Sequence, residues 1–177
     1  MHTLPAMPSL TRHYQTTALV PAPVEQVFAY ADDQTQLSSH MSESSTMMGG
    51  GSMHIEFDEG HGQRVGSHIR LSGRAFGIAL SVEEIVTERD APQRKAWVTV
   101  GQPTLLVIGP YRMGFETRPE GERTRLCVFI DYALPQGRAA RWLGHLLADY
   151  YAKWCTRQMA TDVASHFRSH AHKTSVS

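Results

Sequence analysis

The chain has 177 residues, enough for one compact domain with a sizeable core. Hydrophobic residues make up 41% and charged residues 19%, which excludes a disordered chain. Lys plus Arg and Asp plus Glu are equal at 17 each, so the formal charge is zero. That balance argues against a nucleic-acid binder, which needs a net basic face, and against polybasic attachment to a membrane. The positive charge is nearly all arginine, because Lys95, Lys153 and Lys173 are the only lysines. Cys127 and Cys155 make neither a disulfide framework nor a CxxC pair, so two reduced thiols in a cytoplasmic protein are expected. The N-terminus has no charged and apolar signal pattern, and no run of ~18 apolar residues marks a membrane-spanning helix.

The chain divides into an arm over residues 1–10, one domain over 11–168 and a polar tail over 169–177. Thr11 to Val20 alternates as a strand, with Tyr14, Thr16, Ala18 and Val20 on one face. Pro21-Ala-Pro23 ends it, and Val24, Val27, Phe28 and Ala31 then repeat at helical spacing. Asp32 or Asp33 caps a second short helix, Gln34 to His40. Ser42 to Ser52 is polar and then glycine-rich, a loop.

From Met53 the period changes to two. Met53 to Phe57, Val65 to Ser72, Ile78 to Val86, Lys95 to Val100, Leu105 to Thr117 and Arg123 to Leu134 read as six strands. Short turns join them into an antiparallel meander, and Gly101-Gln-Pro103 is expected to break the fifth strand from the sixth. After Gly137 no proline follows. Trp142, Leu143, Leu146, Leu147, Tyr150, Tyr151, Trp154, Met159, Val163 and Phe167 fall on one broad stripe of a helix of about thirty residues, roughly 45 Å long. Only a sheet could cover such a stripe. A curved sheet round one long helix leaves an apolar hollow unless large side chains fill it.

Four stretches carry a resemblance: Val20-Pro-Ala-Pro-Val-Glu-Gln-Val-Phe28 followed by Asp32 or Asp33; Val65-Gly-Ser67 with Gly73-Arg74; Val82 to Glu84 with Pro92 and Trp97; and Asp131-Tyr-Ala-Leu-Pro135 leading into Trp142 to Phe167. In order and spacing they resemble the START-like or SRPBCC superfamily, the polyketide cyclase/dehydrase and lipid-transport group. The resemblance implies an α+β helix-grip fold: a curved seven-stranded antiparallel sheet wrapped round a long C-terminal helix, with two short helices between strands 1 and 2. It does not fix the function, because members include carriers, receptors, aromatase/cyclases and coenzyme Q-binding proteins.

Three functions are therefore weighed. The first is binding of a small hydrophobic or aromatic ligand (a lipid, polyketide-like or isoprenoid molecule) between sheet and helix. The second is a cyclase or dehydratase acting on a polyketide-like or aromatic substrate. The third is an interaction module with a closed cavity, resembling the coenzyme Q-binding branch. The ligand-binding candidates are His40, Met41, Met53, Arg74, Trp97, Tyr111, Phe115, Tyr132, Leu146, Tyr150 and Trp154. By analogy with aromatase/cyclases, Arg74, Tyr111 and Tyr132 are the candidates for proton movement, with His54 and Asp131 also considered. Met41, Met47, Met48 and Met53 round Gly49-Gly-Gly51 suggest an adaptable gate. A core tyrosine with a bonded hydroxyl and a solvated arginine are the plainer readings of the same residues. His166, His170 and His172 sit at helical spacing, but a solvated tail accounts for them better than a metal, and no cofactor motif is present. Besides the ligand, a second copy of the chain is the partner considered. The arginine excess narrows to one question, whether Arg74 turns inward.

Overall fold

The computed structural model describes residues 9–39, 53–136 and 138–174, with the side chains of all but 138–140 and 171–174. The expectations for the arm up to residue 8, for residues 40–52 (His40, Met41, Met47 and Met48 among them) and for 175–177 fall outside the described residues.

Strand β1 (Arg12–Val20) is followed by helices α1 (Val24–Asp32) and α2 (Gln34–Leu37). Then come β2 (Met53–Phe57), β3 (His68–Ala75), β4 (Ile78–Asp90), β5 (Arg94–Thr104), β6 (Tyr111–Glu120), β7 (Arg123–Tyr132) and α3 (Arg138–Thr174). The seven strands form one antiparallel sheet in the order β1-β7-β6-β5-β4-β3-β2. This is the helix-grip architecture. Alternation assigns the faces: Val20, Ile69, Leu71, Val82, Val86, Trp97, Met113, Phe115, Leu126 and Val128 are buried on the inner one.

Two strand boundaries differ from expectation for a local reason. Strand β5 runs through Gly101-Gln-Pro103 instead of stopping. Gly101 takes a positive φ of 67°, the register to β4 slips between Ser81 and Glu83, and pairing resumes at Thr104 opposite Ser81. A bulge, not a chain break, absorbs the residues that disfavour a strand. Strand β6 begins at Tyr111, so residues 105–110 are a loop leading from β5.

Helix α3 lies against β1 and β7. Its buried face is only in part the stripe read from the sequence, since Met159 and Val163 are buried but Trp142, Leu146, Leu147 and Tyr150 are not. Gly144, Ala148, Ala152, Thr156, Ala160 and Ala164 recur every four residues, and all are buried. Cys155, Met159 and Val163 complete the covered face. Trp142, Leu146, Leu147 and Tyr150 point outward. A ridge of small side chains lets the helix axis come close to the sheet. At Gly144 the helix meets the loop after β5 and the segment after β7, where a Cβ would stand 2.8 Å from Cδ of Pro135 and 3.0 Å from the Val107 carbonyl oxygen. The helix also runs on to Thr174, past the end expected near Phe167.

The arginines chiefly serve the outside of the sheet. Phe129 on the outer face of β7 lies between the guanidinium groups of Arg94 and Arg112, 5.3 and 5.1 Å from its ring centre. Those two arginines pair with Glu88, Glu116 and Asp131. Planar guanidinium suits both stacking and carboxylate pairing, which a lysine would do less well.

Candidate functional site

The expected hollow exists but is nearly shut. Between the inner face of the sheet, α2 and α3 lies a cavity of about 30 Å³ walled by apolar and aromatic side chains, among them Leu71, Trp97, Met113, Tyr151 and Met159. That is room for roughly two water molecules. Trp97, Tyr111 and Met113 rising from the sheet, with Tyr151, Cys155 and Met159 of α3 opposite them, fill the space.

The cavity carries polar groups in an otherwise apolar wall. Glu84 on β4 is 3% exposed and accepts a hydrogen bond at Oε1 from the Tyr111 hydroxyl. Its other oxygen, Oε2, has no hydrogen-bond partner. Burial raises the carboxyl from 4.5 to about 7, while the Tyr111 hydroxyl, the Trp97 indole and the charge of Lys95 each pull it down. The indole does so without reaching hydrogen-bond geometry with Oε2. Gln34, the first residue of α2, is 2% exposed, lines the same cavity and leaves Oε1 unpaired as well. Leaving such an atom unsatisfied costs about 1–3 kcal/mol. Tyr111 is held well above the usual phenol range, chiefly by burial and then by the neighbouring Glu84. Burial also pushes Cys155 up to about 12, so it stays a thiol and is no nucleophile at neutral pH.

A second buried cluster fixes α2 in place. Asp32, at the end of α1, receives two nitrogens of Arg89, with Nη2 2.7 Å from Oδ2 and Nε 3.1 Å away. Lys95 on β5 is fully buried and donates to the Asp32 carbonyl at 2.7 Å, with its Nζ 3.0 Å from Oδ1. Burial lowers the Lys95 pKa, and Asp32 opposes that shift. The Asp33 carboxylate then accepts from the Thr35 N–H at 2.9 Å and starts α2. These contacts pin the α1–α2 junction to the sheet and put Gln34 at the cavity.

Of the residues singled out from the sequence, Trp97 and Tyr111 line the cavity. Met53 and Phe115 are buried in the wider core, with Phe115 5.4 Å from Phe28 between ring centres. Tyr132 is buried, but its hydroxyl donates to Asp149 of α3 at 2.5 Å, beside Arg12 at the rim. Burial and the Asp149 carboxylate raise Tyr132 to about 12. Trp154 is half-buried next to Tyr151, outside the cavity wall. Arg74, Leu146 and Tyr150 are exposed, which corrects the reading that put them in the cavity. Arg74 shares the outer parity of Arg70 and Ser72, opposite to Ile69, Leu71 and Ala75. Leu146 and Tyr150 face away because the small ridge takes the inner side of α3. Sequence reasoning missed Glu84 as a site residue although the signal was present: Leu80, Val82, Glu84 and Val86 share one strand face. Lys95 shares the strand face of Trp97 and Tyr151 lies on the helix stripe, whereas Gln34 left no such signal. Among the described residues no three His, Cys, Asp or Glu side chains gather where a metal would sit.

Residues 11–167 match the family described as polyketide cyclase / dehydrase and lipid transport. No curated protein matches the sequence significantly. Solved structures share the fold at low identity. The Zhui aromatase/cyclase from Streptomyces sp. R1128 is 14% identical with a TM-score of 0.64, covering 90% of this chain and 95% of that one. A protein from Thermus thermophilus is 19% identical with a TM-score of 0.62, covering 90% and 99%. The major latex-like protein 151 of Panax ginseng is 13% identical with a TM-score of 0.54, covering 90% and 99%.

Proposed function

Because the chain belongs to the polyketide cyclase/dehydrase and lipid-transport family, we propose that it binds a small, mostly apolar ligand between the sheet and α3, with Glu84 and Gln34 fixing the ligand's polar end. One observation carries this reading: two buried, unpaired oxygens, Gln34 Oε1 and Glu84 Oε2, border the same apolar cavity. Buried acceptors without partners are costly, and a ligand that supplies the missing donors recovers that cost. The 30 Å³ space is a closed state. Ligand pockets hold several hundred Å³, so binding is coupled to displacement of the cavity's side chains or of α3. Glu84, near 7, is able to give or take a proton at neutral pH, but its partner Tyr111 is held neutral by burial, and among the described residues no second group near neutrality hydrogen-bonds to it. Binding without chemistry is therefore preferred to cyclisation or dehydration.

The test is native mass spectrometry of gently purified protein, followed by titration of an environment-sensitive apolar dye. One saturable site is expected. The variant Val82→Phe, which fills the cavity wall, should abolish binding while leaving the circular dichroism unchanged. Unsaturable binding, or binding indifferent to Val82→Phe, overturns the reading.

A second reading, an interaction module with a permanently closed interior, is favoured by the small cavity together with the outward row Trp142, Leu146 and Tyr150 on α3. It predicts that Val82→Phe is silent and that changes in this row abolish partner binding.

A further inference from the structure

Among the described residues, the two fully buried side-chain atoms at the cavity that lack hydrogen-bond partners are of one kind. Gln34 Oε1 and Glu84 Oε2 are both acceptors. The Tyr111 hydroxyl hydrogen is already given to Glu84 Oε1. A ligand carboxylate or phosphate would bring further acceptors and negative charge against Glu84. A carbonyl would bring a further acceptor to two acceptors that already lack donors. An ammonium group brings three donors and a positive charge, and it is close to a water molecule in size. The rings of Tyr111 and Tyr151 supply polarisable walls of the kind that hold cations, and the Trp97 ring already has the Lys95 ammonium 5.9 Å from its centre.

We propose, building on the ligand-binding reading above, that the ligand is a primary amine bound as its ammonium ion, with the nitrogen between Glu84 Oε2 and Gln34 Oε1 and the apolar body directed along the α3 side of the cavity. The charges around the site allow this. Lys95 is the nearest cation, and its ammonium is held by the Asp32 carboxylate and carbonyl. Arg89, also on Asp32, is at the solvent rim, with its side chain 31% exposed. Tyr111 and Tyr151 are held in the neutral form by burial, as is the Cys155 thiol. Glu84 with the ligand forms a second neutral pair beside Lys95 and Asp32. Binding to the ionised form of Glu84 expels its proton when the acid is protonated beforehand.

The test uses the full chain with hexylamine, hexanol and hexanoate, which share one apolar body and differ in the head group. Isothermal titration calorimetry at pH 6.5, in buffers of different ionisation enthalpy, reads affinity and proton release together. Hexylamine should bind at least about tenfold more tightly than hexanol, the gain of a charge-assisted over a neutral hydrogen bond. It should release a fraction of a proton, and hexanoate should be the weakest. Glu84→Gln keeps the shape of the side chain and should erase both the amine preference and the proton release. Gln34→Leu, a second variant should the first fail to fold, should reduce the preference and keep the proton release. Equal binding of amine and alcohol, or preference for hexanoate, overturns the amine assignment and leaves the ligand-binding reading standing. Failure of all three probes, with the dye also unbound, overturns both.

Discussion

The Tyr111 hydroxyl donates to Glu84 Oε1 from two strands away, across β5, in the space that α3 closes. One buried hydrogen bond thus ties a residue that the sequence marked as a candidate to one that it did not. Tyr111→Phe removes the donor and leaves both carboxylate oxygens unpaired. It should destabilise the protein by about 1–3 kcal/mol at pH 8, measured by urea unfolding. The Glu84 carboxyl should also titrate higher, because the hydroxyl is one of the groups that lower it. An unchanged unfolding midpoint would refute the role of this pair.

Glu84 also sets a pH dependence. Its carboxyl stands at about 7 in the folded chain against 4.5 ordinarily, so the folded state binds the proton more tightly than the unfolded state. Stability is then greatest below about 4.5, falls as pH rises towards 7 and levels off above it. A shift of this size amounts to about 3 kcal/mol. Asp58, Glu88, Glu120 and Asp149 are lowered, and they act in the opposite sense at more acid pH. The difference in unfolding free energy between Glu84→Gln and the unaltered chain isolates the Glu84 contribution between pH 5 and 8. That difference should grow in favour of the variant as pH rises, and a flat difference would be inconsistent with this account.

The Asp32–Lys95 contact should be costly to break from one side. Asp32→Asn leaves the fully buried Lys95 without its carboxylate and Arg89 without its bidentate partner. A loss of about 3–5 kcal/mol is expected. Adding Lys95→Met to that variant should recover part of the loss, because the uncompensated charge is gone. A thermodynamic cycle over the two positions measures the coupling, and strictly additive effects would show that the pair is not coupled.

The packing of α3 against the loop after β5 and the segment after β7 is tested at Gly144. Gly144→Ala gains about 1 kcal/mol of helix propensity. The new methyl meets the ring of Pro135 at 2.8 Å and the Val107 carbonyl oxygen at 3.0 Å. Overpacking against backbone costs about 1–3 kcal/mol, so net destabilisation is expected in thermal unfolding. In contrast, Trp142→Ala, at a side chain 67% exposed, should shift stability by less than about 0.5 kcal/mol. If the tryptophan proved the costlier change, the helix would be packing on its other face.

The sequence by itself determined the order of elements, the change of period at Met53 and the inner face of most strands, because side-chain parity along a strand and helical spacing are local properties. It placed Trp97, Tyr111 and Phe115 inward correctly. The same parity would have excluded Arg74 and drawn attention to Glu84, had it been applied to polar as well as apolar side chains. Only the tertiary structure decided which side of α3 is covered. Large apolar residues form the more obvious stripe, yet a helix held against a sheet by short side chains buries its small residues. The stripe of Gly144, Ala148, Ala152, Thr156, Ala160 and Ala164 won on distance of approach, not on hydrophobicity. Tertiary packing likewise left a hollow of about 30 Å³ and brought Gln34, Glu84 and Tyr111, from three distant parts of the chain, round it. The balanced charge and the arginine excess acquire their meaning there as well: guanidinium groups cover the outside of the sheet, and the buried cation at the α1–α2 junction is one of the three lysines.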